Sequence, residues 1–327
     1  MTGASAHGNG WADAAKFVVC IAILSIVYEY ATDRGIHVVA FILLSMTFAG
    51  LALIVLTGRH AQTVEILKTP LTWWLGAAFI FLEGGYYAML TTMPPAEASL
   101  VLRLALPVSL IVAAALFSRR LTAVTAIGGV VTVAGVVWLL SGFEEAAVWP
   151  GLIFGALAVG ALTTRTFLAE RHPHNRAATT IEAKLRVTGV LISAMCVALW
   201  GGTLGLMALQ AAGWVDVGSA LPAPSAFLDA ETIPLAAGFG AAVFTALNYF
   251  QFRAVVALGS ERFLAVTALL PIAVILAQAI ASGLGIIDTP VFDASLLPVI
   301  AMTVVGSLLV AFAAQPAGSP GVSSRAP

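Results

Sequence analysis

The stretch Glu83–Pro107, EGGYYAMLTTMPPAEASLVLRLALP, begins inside one long apolar segment and ends inside the next, with Pro94-Pro95 turning the chain between them. Each segment carries one interior charge, Glu83 in the first and Arg103 in the second. A single charge at the centre of a membrane helix costs ~2.5–3.5 kcal/mol on insertion scales. Counted back from the turn at ~1.5 Å per residue, Glu83 lies about 14 Å deep and Arg103 about 9 Å deep. Those depths are close enough for the two side chains to be expected to face each other, directly or across water, in a polar cavity between packed helices.

The surrounding chain has the composition that such a cavity requires. Of 327 residues, 60% are hydrophobic and 9% charged, whereas a soluble domain carries about 25% charged residues. The chain therefore reads as an integral membrane protein. The formal net charge of -1 speaks against a nucleic-acid binder. Cys20 and Cys196 both fall in apolar segments and read as small buried hydrophobes. The N-terminal residues 1–16 lack the basic n-region of a secretory signal, so the first apolar segment is expected to be retained. Residues 1–16 and the tail 315–327 are expected to be disordered and cytoplasmic.

Ten segments meet or approach the ~20 apolar residues of a membrane helix. They fall at about 17–32, 37–57, 70–92, 97–117, 121–141, 148–169, 187–212, 233–257, 262–283 and 294–314. Runs of this length exclude an open sheet or a barrel in lipid, and the expected fold is all-α with ten transmembrane helices. Gly201-Gly202 suggests a bend in the seventh, or its extension beyond the membrane. The loops alternate in charge. One set holds Lys16, Arg59, Lys68, Arg119, Arg120, Arg171, Arg176, Lys184, Arg186, Arg262 and Arg325. The other holds Arg34 among Asp33, Glu144, Glu145, Asp216, Asp229, Glu231, Asp288 and Asp293. The positive-inside rule places the basic set and both termini in the cytoplasm, which agrees with an even number of spans. The longest external piece, 214–232, is expected to be a flexible loop.

A shift of 164 residues lays the fourth segment on the ninth, AEASLVLRLALPVSLIVAAAL on SERFLAVTALLPIAVILAQAI. Glu97 then meets Glu261, Pro107 meets Pro271 and, upstream, Tyr86 meets Phe250. Two units of five spans follow, 17–141 and 148–314. An odd number of spans inverts the second unit relative to the first, the arrangement of secondary transporters with a site at the midplane.

Small and aromatic residues before a turn, then A-x-x-A/L-x-x-x-x-x-L-P, a short basic turn and IGGVVTVAGVVWLL (Ile127 to Leu140) resemble the drug/metabolite transporter superfamily, EamA branch. The second copy, ALLPIAVILAQAI followed by VIAMTVVGSLLVAF, resembles the same pattern. Where that family often closes its fourth and ninth helices with L-G-E, this chain has Ser118-Arg119-Arg120 and Gly283-Leu284-Gly285. The resemblance implies export of an amino acid, sugar or similar metabolite, and a site among the first, third, fourth, sixth, eighth and ninth helices.

The residues expected to bind the solute are Glu83, Tyr86, Tyr87, Arg103, Asn248, Gln251 and Phe252. Glu83 is suited to an ammonium group or a coupling proton, and Arg103 to a carboxylate. A structural salt bridge between them is the alternative. Tyr86 and Tyr87, three and four residues after Glu83, share its helical face. Asn248 and Gln251 form a neutral amide pair in the equivalent region of the second unit, or serve as interhelical glue. Pro107 and Pro271 each remove a mid-helix hydrogen bond and are expected to act as hinges. Glu97 and Glu261 suit helix N-termini, Arg165 and Arg253 are expected to snorkel, and Glu29 is a candidate gate or proton site.

His7, His37, His60, His172 and His174 fall in loops or at helix ends, so no metal is expected, and His172-Pro-His174 reads as a solvated loop. No P-loop, H-E-x-x-H or G-x-S-x-G motif is present. The chain is expected to be neither an ATPase nor another enzyme, and to need no cofactor. Its partners are the lipid bilayer, a small-molecule solute and a coupling proton or ion. The expected function is an inner-membrane secondary transporter exporting an amino acid or similar metabolite. A flippase for a lipid or lipid-linked sugar is the alternative, and a scaffold with Glu83 bonded directly to Arg103 is a third possibility.

Overall fold

The computed structural model describes residues 3–58, 63–117, 121–143, 145–258, 263, 266–288 and 294–313. Arg59, His60, Arg119, Arg120, Glu144, Glu261, Arg262, Asp293 and the tail lie outside the described residues. Among those described there is no strand, and the fold is all-α. The helices are α1 Gly3–Asp33, α2 Val38–Thr57, α3 Thr63–Lys68, α4 Pro70–Leu90, α5 Pro95–Val101, α6 Ala105–Phe117 and α7 Ala123–Ser141. They continue with α8 Glu145–Arg171, α9 Pro173–Ala177, α10 Ile181–Ala211, α11 Thr232–Gly238, α12 Thr245–Leu258, α13 Leu270–Gly283 and α14 Leu297–Ala313.

The ends of these helices follow from local chemistry. His37 opens α2, its ring Nδ1 accepting from the Val39 amide, and Gly58 closes it at φ +72°. Thr122 and Thr180 cap α7 and α10 by accepting from Thr125 N and Ala183 N. Proline starts α4 and α5, where its missing N–H costs nothing.

Among the described residues, seven helices are long and apolar enough to cross a membrane: Gly10–Asp33, Val38–Thr57, Pro95–Leu116, Ala123–Ser141, Trp149–Arg171, Ile181–Ala211 and Thr232–Leu258. Large apolar side chains such as Ile111, Leu116, Val130, Val137 and Trp138 stand exposed on the outer faces. The chain is thus an all-α membrane protein, with seven such helices where the sequence suggested ten. The difference has a physical basis. The segment Pro70–Leu90 has the length but is diluted by Glu83, Gly84, Gly85, Tyr86 and Tyr87. The apolar helices α13 and α14 are only 14 and 17 residues long.

Two further expectations are revised, and a third is decided between its two alternatives. Residues 3–16 are not a disordered lead but belong to α1; Ala14 and Asp13 are buried because this turn packs on α12. The loop 214–232 is anchored, since Phe227 is buried against Trp200 at a ring separation of 4.8 Å. Its Asp229 accepts from the Thr232 amide at 2.8 Å, which holds its carboxyl below the usual range. Of the two alternatives at Gly201-Gly202, a bend or an extension, α10 fits the second: it runs unbroken for 31 residues, ~46 Å at ~1.5 Å per residue and longer than a bilayer core is thick.

Packing joins α4 to α8, α1 to α12, α2 to α10 and α7 to α14. A π-helical turn, Phe239–Phe244, connects α11 to α12 and lies against α2. A side chain at Gly240 would overlap the Ser45 carbonyl, so only glycine admits this crossing. The pair Gly128 and Gly306 brings the backbones of α7 and α14 together in the same way.

Candidate functional site

The centre of the bundle is an aromatic cluster contributed by α1, α2, α4 and the π turn. Tyr28 is fully buried and stacks on Tyr87 with ring centroids 5.1 Å apart and planes 12° from parallel. Phe239, Phe41 and Tyr86 surround the same ring at 5.2, 5.9 and 6.1 Å. These rings meet because Tyr86 and Tyr87 follow one another on α4 while α1 and α2 present Tyr28 and Phe41 to them.

Glu83, 5% exposed, belongs to this cluster: its Oε2 accepts from the Tyr28 hydroxyl at 2.7 Å. The neighbouring cation is Arg165 on α8, which interacts electrostatically with Glu83. Its guanidinium lies 3.8 Å from the Phe79 ring centroid, and Nη2 donates to Gln251 Oε1 at 3.1 Å. Arg165 is therefore not a snorkelling residue. The side-chain hydroxyls of Tyr86 and Ser25 lie 2.8 Å apart, and Tyr87 donates to the Ile36 carbonyl at 2.8 Å. Glu29, buried on α1, interacts electrostatically with both tyrosines.

Arg103 does not bond to Glu83. It is 9% exposed, and its Nη1 donates to the Thr267 carbonyl at 2.8 Å while Nε has no hydrogen-bond partner. Tyr86 is in electrostatic range of both charges. The expected direct pair is thus replaced by two buried charges that each hold a neutral partner. Tyr28, Tyr86 and Tyr87 are themselves buried beside Glu83. Two surface hollows lie elsewhere and are apolar. One, of about 490 Å³, is lined by Val124, Val305 and Phe312, and the other, of about 250 Å³, by Ile23, Ile26 and Ile280.

The amide pair separates as well. Asn248 donates from Nδ2 to the Phe244 carbonyl at 2.9 Å, patching its own helix below the π turn, while Gln251 turns to Arg165. Phe252 is half-buried at the margin of the core. Pro107 and Pro271, expected to act as hinges, both stand just after irregular turns in their helices. Before Pro107 the helix tightens to a 3-10 turn at Leu102–Leu104, and before Pro271 it opens at Ala268–Leu269.

Arg253, also expected to snorkel, instead donates from Nε to Asp13 at 2.8 Å. The segment His172-Pro-His174 is not solvated at its first residue. The His172 ring is fully buried, with Nε2 2.9 Å from Thr72 Oγ1. Burial and the His174 ring push its pKa down to about 4. Among the described residues no cluster of His, Cys, Asp or Glu has the arrangement of a metal site.

Sequence reading missed Tyr28 and Arg165 as site residues. For Arg165 a signal was available, a charge within an apolar segment; for Tyr28 the adjacent Glu29 drew the attention.

No family model and no curated protein matches the chain. Eight chains of solved structures do. One of them, a protein crystal structure, has a TM-score of 0.54 and 18% identity over 96% of this chain and 99% of that one. At that identity the likeness concerns the fold, which the two share along essentially their whole lengths.

Proposed function

We propose that the protein is a secondary transporter in which two inverted five-helix units, together ten spans, alternate access to a central site. The resemblance to the EamA branch suggests export across a bacterial-type inner membrane, with both termini cytoplasmic. The solute is an amino acid or similar small polar metabolite. Glu83 receives its ammonium group or the coupling proton, and Arg103 receives its carboxylate.

One observation carries this reading. Glu83 and Arg103 are buried in one packed core yet do not pair with each other: Glu83 accepts from Tyr28 with Arg165 as its neighbouring cation, and Arg103 donates to the Thr267 carbonyl. Two opposite charges that do not neutralise one another are suited to a zwitterion, whose two ends would replace those partners. The pattern of neighbours supports the two-unit reading. The packing of α4 on α8 has its counterpart in α1 on α12, while α2–α10 and α7–α14 join equivalent helices of the two units. The closed aromatic cluster corresponds to an occluded state. The flippase alternative has the apolar hollow between α1 and α13 in its favour, but that hollow has no polar floor for a head group.

The test is a melting screen of the purified protein against the amino acids, repeated on Glu83→Gln, followed by counterflow in proteoliposomes with the strongest ligand. A stabilising amino acid whose effect and flux are lost in Glu83→Gln supports the reading; a panel without any stabilising member sinks it.

A further inference from the structure

The tyrosine hydroxyls beside Glu83 have already given their hydrogens away. A serine or tyrosine hydroxyl has one hydrogen to donate and lone pairs to accept with. Ser25 donates its hydrogen to the Ile21 carbonyl at 3.0 Å. The hydrogen in its 2.8 Å contact with the Tyr86 hydroxyl then comes from Tyr86, a phenol being a stronger donor than an alcohol. Tyr28 donates to Glu83 Oε2 at 2.7 Å. With its hydrogen committed to Ser25, the Tyr86 oxygen can offer only lone pairs. It lies in electrostatic range of Glu83, Arg103 and Glu29, in a core where Ser25 is 0% and Tyr86 3% exposed. An ionised carboxylate has about four lone-pair sites, so Glu83 keeps places beyond the one that Tyr28 fills. Its neighbouring cation, Arg165, donates to Gln251. The Glu83 end of the core is thus rich in acceptors, and the buried Arg103 Nε, without a hydrogen-bond partner, is a donor.

We propose that Tyr86 makes the site selective for the number of hydrogens on the solute's nitrogen: one N–H goes to Glu83 and a second to the Tyr86 oxygen, so primary and secondary ammonium groups bind and tertiary and quaternary ones are refused. This rests on the transporter reading, in which Glu83 receives an ammonium group, and adds which amines qualify. A solute with a single N–H turns methyl carbons toward the Tyr86 oxygen, and a buried acceptor deprived of both water and a donor costs free energy. The rings do not supply the opposite preference. An aromatic cage for methylated ammonium presents open ring faces to the cation, whereas Tyr28 and Tyr87 stack on one another at 5.1 Å, with Phe41 and Phe239 against the same Tyr28 ring. The lone pairs that attract N–H groups also repel a carboxylate, which orients the solute with its carboxylate toward Arg103.

N-Ethylglycine and N,N-dimethylglycine test this, because they are isomers of equal charge with two N–H groups and one. Their binding to the full protein in nanodiscs is measured by calorimetric titration, beside glycine. N-Ethylglycine is expected to bind about tenfold or more tighter than N,N-dimethylglycine, the scale of one buried hydrogen bond left unmade. In Tyr86→Phe the two are expected to fall within about threefold of each other, since neither finds a second acceptor. Should Tyr86→Phe fail to fold, the protein is made with fluorotyrosine in place of tyrosine, which weakens the phenol oxygen as an acceptor, and the ratio must shrink there. Isomers that bind alike in the natural chain, tighter binding of the dimethyl form, or rejection of both while glycine binds overturns the proposal and leaves the solute reading standing. A difference that survives undiminished in the variant overturns it as well. If glycine too fails to bind, the proposal falls, and the solute reading survives only where another amino acid stabilises the protein in the melting screen.

Discussion

At one end of α1, Asp13 reaches Arg253 of α12 at 2.8 Å, with 5% and 35% of the two side chains exposed. At the other end, Arg34 reaches Glu231 at 3.2 Å with 53% and 43% exposed, and Tyr30 donates to the same oxygen. The Asp13 end has further buried polar fastenings: His172 on Thr72, and Arg186 on the Gly58 carbonyl and Thr63. The Arg34 end is tied mostly at the surface, with Asp33 accepting from the exposed Asp288 amide. A bond shielded from water keeps its strength in salt, whereas an exposed pair is screened and contributes little. The two ends of the bundle are therefore tied with unequal strength, and on the transporter reading proposed above the Arg34 end is the mouth that opens more readily.

The sharpest way to break this comparison is Asp13→Ala. Removing one member of a fully buried pair costs about 3–5 kcal/mol; with Arg253 partly exposed, ~2–3 kcal/mol is expected, read as a fall in melting temperature. Arg253→Met in the same chain should recover much of it. The native thiol of Cys20, buried in α1, should also become faster to label in Asp13→Ala than in Glu231→Ala. Equal labelling in the two variants would remove the asymmetry.

Acid provides an intermediate test at the Asp13 end. His172 has a pKa pushed down to about 4, against ~6.5 for the unfolded chain. Between those values the unfolded state binds more protons, so the contribution of neutral His172 is complete above about pH 6.5 and is lost as pH falls toward 4. The melting temperature should decline through that window in the natural chain and decline less in His172→Leu. The smallest effect belongs to the other end. Glu231→Gln should cost no more than about 1 kcal/mol, and molar salt should loosen the natural Arg34 end while leaving the variant unchanged. A larger cost there would mean that the surface tie carries more than its exposure suggests.

Much of this was visible in the chain beforehand. Long apolar runs fix helices in lipid because every backbone group must be satisfied within the segment, and no strand appears among the described residues. Pro107 and Pro271 announced interruptions, though the breaks themselves fall two to five residues earlier. Glu83 and Arg103 were recognisable as buried from their surroundings alone. Their partners were not. Tyr28 lies 55 residues from Glu83, and nothing in either segment's pattern distinguishes Tyr28 from Tyr30 as the donor. Arg165 was misread because nearness to a helix end looks the same whether the side chain turns to water or folds back over Phe79. The sequence counted α4, α13 and α14 as spans, whereas among the described residues α13 and α14 are shorter than a crossing needs and Pro70–Leu90 is too diluted by polar and small residues.

The seam between α7 and α14 has a consequence for how either mouth could widen. Gly128 and Gly306 bring two main chains so close that a methyl group on either would strike the other's carbonyl, and Gly135 repeats the fit against Thr303. Surfaces keyed this tightly neither slide nor part by small steps. On the transporter reading proposed above, this pair is the spine about which the remaining helices would swing. A covalent staple across the spine should leave flux intact, while the same staple between α1 and α12 should arrest it.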